Sequence, residues 1–215
     1  MPSKERLLSR KSANQIGKTN NPKLLTSSRW NARTDLVRGD RYDTRWERLA
    51  ESGQNIHGEA DFVETYGPLS VLDAGCGTGR VAMELYRRGI DVVGVDLDEK
   101  MLGTARRKAP DLSWVSGDLT TLELGRTFDA AVLAGNVLIF VLPGSERAVL
   151  KNVANHLTTN GVLIAGFEMK PDAISLVEYD LVMSEIGMEP AGRWSTWQRD
   201  PYQGQRYAVS AHRRI

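Results

Sequence analysis

The chain has 215 residues, 41% of them apolar, with Lys+Arg 28 against Asp+Glu 27. That length supports one sizeable core and is short for two domains, and the near balance of charge gives no electrostatic case for nucleic acid or membrane as an obligatory partner. No apolar run approaches the roughly 18 residues of a spanning helix, the N-terminus lacks the apolar centre of a secretory signal, and the single cysteine, Cys76, has no partner for an internal disulfide. The expectation is a soluble, cytoplasmic protein without a metal site.

Charge is unevenly spread. Residues 1–38 carry nine basic and two acidic side chains, a net of +7, which leaves −6 for the remainder. Rich in Ser, Asn, Thr, Lys and Arg and without apolar periodicity, this stretch reads as a disordered or loosely attached basic extension. It is the one part of the chain with a composition that suits nucleic acid. The folded domain is expected over residues 39–215.

From Arg41 onward strand and helix signals alternate, which predicts a parallel sheet with helices on both faces. Helices are predicted near 42–51 and 58–66, then a strand at 70–74, a helix at 79–88, a strand at 91–95, a helix at 98–108, and strands near 112–116 and 128–134. A helix at 145–157 is expected to end at the turn TTNG, with Gly161 supplying the left-handed residue before a fifth strand at 162–167. A last helix near 172–186 precedes two strand-like runs, 188–197 and 205–213, separated by QRDPYQG, which reads as an antiparallel hairpin.

Ligands of open α/β sheets sit beyond the carboxyl ends of the strands. The first strand leads into VLDAGCGTGR, residues 71–80, where Asp73 precedes Gly75, Gly77 and Gly79. Such turns commonly hold a pyrophosphate, but a carboxylate beside one adds like-charge repulsion, whereas beside an ammonium it stabilises. Asp96 ends the second strand, where a carboxylate can accept from both hydroxyls of a ribose. Asp118 follows the third, placed to meet an adenine amino group, and Gly135 and Asn136 follow the fourth. Asp98 reads as a helix cap. Adenine, ribose and an ammonium without phosphate together describe S-adenosylmethionine.

Over residues 42–213 the chain resembles the class I, Rossmann-like S-adenosylmethionine-dependent methyltransferases. VLDAGCGTGR is similar to their first motif, VVGVDLDEKML to the second, SGDLTTL to the third, and FDAAVLAGNVLIF with LTTNGVLIAGF to the fourth and fifth. The resemblance implies an α/β, doubly wound, mostly parallel seven-stranded sheet with a C-terminal antiparallel hairpin. It also implies that Gly75 and Gly77 approach the methionyl part of the cofactor, that Leu97 and Leu119 flank the adenine, and that the Gly135–Asn136 backbone lies near the sulfonium. Tyr42 and Trp46 sit on a helix that in similar enzymes covers the cofactor.

The Asn-Pro-Pro-Tyr-like motif of the relatives that methylate DNA bases or protein amides is replaced here by Gly135, Asn136, Val137 and Leu138. With no long inserted recognition domain, a small-molecule methyl acceptor is the default. His57, at the start of the helix before the first strand, is the candidate general base. Phe140, Phe167, Trp197 and Tyr202 are the candidate walls of the acceptor pocket. Two other readings stay open: an NAD(P)-dependent reductase, which would share Asp96 but tolerate Asp73 badly, and a non-catalytic S-adenosylmethionine-binding protein.

Overall fold

Seven strands in the order β3-β2-β1-β4-β5-β7-β6 form the sheet of the computed structural model, which describes residues 28–33 and 35–215. The strands are β1 (Ser70–Ala74), β2 (Asp91–Asp96), β3 (Ser113–Ser116), β4 (Phe128–Leu133), β5 (Leu157–Glu168), β6 (Met188–Trp194) and β7 (Tyr207–Arg214). The first five pair in parallel, while β7 runs antiparallel between β5 and β6. The expected doubly wound sheet with its terminal hairpin is the one observed.

Alternation along the central strands sets the two cores. Leu72, Val93, Val95, Ala131, Leu133 and Leu163 pack on one face, against α7 (Glu146–Asn155) and α8 (Leu176–Glu185). Val71, Val92, Ala130, Val132 and Ile164 pack on the other, against α3 (Gly58–Glu64) and α4 (Arg80–Arg87). Strands buried on both faces read as continuous apolar runs, which is why their sequence signal is strong. The remaining helices are α1 (Arg29–Ala32), α2 (Asp40–Glu51), α5 (Glu99–Lys108) and α6 (Val137–Phe140). Among the described residues no helix is long and apolar enough to cross a membrane.

Two local expectations need correction. The left-handed residue of the TTNG turn is Asn160, at φ 65°, and not Gly161. A Cβ on Gly161 would stand 2.9 Å from the Thr158 carbonyl oxygen and 3.2 Å from that of Phe128, so this glycine serves close backbone approach inside a longer β5. The short helices α1 and α6 have no counterpart in the periodicity, since four residues are too few to show one.

Of the segment expected to be a loose extension, residues 1–27 and 34 lie outside the described residues. Its described part is packed on the sheet's ligand edge. The Trp30 indole N–H donates to Asp98 Oδ2 at 2.8 Å and Arg38 Nε to the same oxygen at 2.7 Å. Ser28 pairs with Val141 in an isolated antiparallel bridge. The Trp30 ring meets Phe140 edge-on, with centroids 5.1 Å apart. These contacts use an aromatic ring and an arginine from a stretch that composition alone marks as polar.

Candidate functional site

The turn after β1 is built around Asp96. Its Oδ2 accepts the Gly77 amide at 2.7 Å and its Oδ1 the Asp98 amide at 2.8 Å, while the amides of Gly75 and Cys76 donate to the Val95 carbonyl at 2.8 and 2.9 Å. The end of β2 therefore fixes the glycine turn. Gly75 sits at φ 81°, where a Cβ would meet Val137 at 2.5 Å, so neither its conformation nor its surroundings admit a larger residue. Asp73, 1% exposed, accepts the Ala82 amide at 3.0 Å through Oδ2 and so ties β1 to the start of α4.

A cavity of about 580 Å³ opens over these residues. Its floor is made by Asp73, Gly75, Gly77, Asp96, Leu97, Asp118, Leu119, Gly135 and Asn136, from the carboxyl ends of β1 and β2 and the loops that follow β1 to β4. Its walls include Trp30, Leu36, Val37, Arg41, Tyr42, Arg45, Trp46, Phe140 and Val141, from the N-terminal segment, α2 and α6. Asp118 Oδ1 accepts both the amide and the hydroxyl of Thr120 at 2.8 Å, which shapes the loop after β3. Asn136 is left-handed at φ 67°, and its Oδ1 accepts the Glu168 amide at 2.8 Å, joining the ends of β4 and β5.

Helix α2 is held over this floor by side-chain bonds. Asp43 accepts the Thr78 hydroxyl and pairs with Lys108, both at 2.5 Å, and Asp40 accepts the Thr104 hydroxyl at 2.8 Å. The Arg80 guanidinium lies 3.8 Å from the centre of the Trp46 ring and pairs with Glu59. Cation, carboxylate and ring together lock α2, α3 and α4 around one end of the cavity.

The electrostatics of the floor select the guest. Burial pushes Asp73 up to about 7, and the Asp96 and Glu59 charges add to this against the pull of the Ala82 amide and Arg80. Burial also pushes Asp96 up to about 6, opposed by the Asp98 and Gly77 amides. Two desolvated carboxylates sharing a cavity gain from a cation or from hydroxyl donors and lose from an added phosphate. With an amide donating to each oxygen, the Asp96 carboxylate keeps acceptor capacity for a ligand donor. The donor set thus fits an adenosyl group that ends in an ammonium.

Several expected site residues do not reach the cavity. His57 is the N-cap residue of α3, and its Nδ1 stands 3.9 Å from Glu84 on α4, outside the cavity lining. Phe167 is fully buried against Tyr179, their ring centres 5.2 Å apart. Trp197 packs edge-on against Phe62 at 5.5 Å and donates its indole N–H to the Tyr207 hydroxyl at 2.9 Å. The Tyr202 hydroxyl donates to the Gln205 carbonyl within its own loop. Gly79, at φ 86°, lies under the Trp114 ring and serves packing.

Residues that the sequence reading passed over are Trp30, Leu36, Val37, Val137 and Val141. The Trp30 ring and the Leu36-Val37 pair, apolar residues in a polar stretch, were the available signal.

The family described as "Methyltransferase domain" matches residues 71–161. A TehB-like S-adenosylmethionine-dependent methyltransferase of known structure from Corynebacterium glutamicum is 32% identical, with a TM-score of 0.75 over 81% of this chain and 96% of that one. The chain belongs to the class I S-adenosylmethionine-dependent methyltransferases. A dTDP-3-amino-3,4,6-trideoxy-alpha-D-glucopyranose N,N-dimethyltransferase from Streptomyces venezuelae is 33% identical over 108 residues, 49% of this chain and 46% of that protein. The methyltransferase described here therefore spans less than half the length of that curated relative. A S-adenosylmethionine-bound amino pentose methyltransferase from Micromonospora echinaspora shares the fold, with a TM-score of 0.66, 20% identity and coverage of 84% and 100%.

Proposed function

We propose that this methyltransferase passes the methyl group of S-adenosylmethionine to a small-molecule acceptor. The observation that carries the reading is the pair Asp73, buried, and Asp96, half-buried, both on the cavity floor. When bound, the cofactor supplies a methyl group already activated by its sulfonium.

In this reading Asp96 takes the ribose hydroxyls, and Asp73, with the backbone of Gly75 and Gly77, faces the methionyl ammonium. Leu97, Asp118 and Leu119 hold the adenine, and Gly135 and Asn136 form the floor toward the acceptor. Trp30, Tyr42, Trp46 and Phe140 close the cavity and exclude water. Orientation of the acceptor by fixed walls supplies much of the acceleration in a reaction of this kind. His57 is left out as a base because its ring lies outside the cavity lining.

The S. venezuelae relative, by its name, acts on a small nucleotide-linked sugar, which supports a small acceptor here. The same cavity argues against a dinucleotide, whose pyrophosphate would meet two carboxylates. Residues 39–215 form the transferase domain in this reading, with 28–38 as its cover, and the setting is cytoplasmic. The test is formation of S-adenosylhomocysteine from S-adenosylmethionine with a panel of small amines, phenols and carboxylic acids. Acceptor-dependent turnover supports the proposal; tight cofactor binding with none on any acceptor class returns the reading to a binding protein.

A further inference from the structure

We infer that the acceptor is an anionic small molecule whose carboxylate, phosphate or sulfate group is held by Arg41 and Arg45. The inference rests on the methyl-transfer reading and names its substrate class.

Arg41 and Arg45 stand one helical turn apart on α2, so they share a face, and both line the cavity. Other arginines around this edge are neutralised: Arg38 by Asp98, Arg80 by Glu59 and Arg107 by Asp40. Two acids of the same helix are directed elsewhere, Asp40 to Thr104 and Arg107, Asp43 to Thr78 and Lys108. Asp35, which also lines the cavity, is held by Arg33. Among the described residues neither Arg41 nor Arg45 has a carboxylate within ion-pair distance, and the Arg45 guanidinium lies 5.5 Å from the centre of the Trp46 ring.

Two guanidiniums left without counter-ions at the mouth of a cavity offer planar forks that match an oxyanion. Arg41 and Arg45 are exposed, whereas Asp73 is buried and Asp96 half-buried at the ends of β1 and β2, so the cavity is polarised: negative where the cofactor's ammonium and ribose would sit, positive at the exposed side. The rings of Trp30, Tyr42 and Phe140 line the same cavity. The acceptor that matches these surfaces has an apolar or aromatic body and an acidic group directed to the two arginines.

The full-length protein saturated with S-adenosylhomocysteine is titrated with two fluorescent naphthalenes of one shape, the anionic 1-anilinonaphthalene-8-sulfonate and the neutral N-phenyl-1-naphthylamine. The sulfonate is expected to bind one to one and about 10-fold more tightly, a preference lost in Arg41→Gln/Arg45→Gln and largely restored in Arg41→Lys/Arg45→Lys. Melting temperature and S-adenosylhomocysteine affinity of each variant are read in parallel. Equal binding of the two probes, or a preference that survives the glutamine pair, overturns the inference. Substitutions that weaken S-adenosylhomocysteine and spare the sulfonate also overturn it, assigning the arginines to the cofactor's own carboxylate. Failure of wild type to bind S-adenosylhomocysteine at all strikes the methyl-transfer reading instead.

Discussion

Asp96 receives the Gly77 amide at 2.7 Å, so one carboxylate both shapes the glycine turn and faces the cavity. Removing it has two separable effects. Asp96→Ala should weaken S-adenosylhomocysteine by about 10- to 150-fold through loss of charge-assisted hydrogen bonds. Asp96→Asn, which keeps an oxygen for one amide, should retain more of the melting temperature while still losing affinity. Calorimetric titration and thermal melting of both variants check this; an affinity unchanged in Asp96→Ala removes the residue from the site.

The raised Asp73 and Asp96 predict a pH dependence of fixed sign. Each has a folded value, about 7 and about 6, above its ordinary 3.8, so the ligand-free protein binds extra protons between those limits. Stability from these groups therefore falls as pH rises from about 4 toward 7. A ligand with an ammonium and ribose hydroxyls favours the ionised carboxylates, so its affinity should rise over the upper part of that window with release of protons. Titrations in two buffers of different ionisation enthalpy measure the release directly. Proton uptake on binding would contradict the assignment.

Residues 28–38 are predicted to matter for the cofactor. Deletion of residues 1–27 should leave S-adenosylhomocysteine affinity unchanged, whereas deletion of 1–38 removes Trp30 and Arg38 from Asp98 and should cost about 10-fold, the worth of one or two charge-assisted bonds. Equal affinity of the two truncated proteins would show that the segment only rests on the surface.

Trp197 is predicted to act through stability. Its ring is committed to Phe62 and Tyr207, so Trp197→Ala should cost roughly 2 to 4 kcal/mol, or about 5 to 15 °C in melting temperature, and leave cofactor affinity nearly unchanged. Loss of affinity with no loss of stability would return the residue to the pocket.

Strand positions were legible because Val71–Leu72, Val92–Val93, Ala130–Val132 and Val162–Ile164 are buried on both faces and leave uninterrupted apolar runs. The floor of the site was legible for a related reason: Asp73, Asp96, Asp118 and Asn136 lie at or just beyond strand ends, and topology carries strand ends to one edge. Side-chain direction was not legible. Phe167 lies near the end of β5 and Trp197 just beyond β6, but each ring is claimed by a neighbour on another element, Tyr179 on the following helix and Phe62 far back in the sequence. His57 begins the helix before β1 as expected, yet its ring is directed to Glu84. Trp30 was hidden in a segment whose average composition is polar, because a single aromatic ring docked by a hydrogen bond to Asp98 leaves no periodic trace.

The cavity is built for an adenosyl group with an ammonium and against a pyrophosphate. Isothermal titration of the full-length protein with S-adenosylhomocysteine, repeated with NAD present in large excess, measures this preference. One-to-one binding that NAD does not displace is expected. Tight NAD binding without binding of S-adenosylhomocysteine would contradict it.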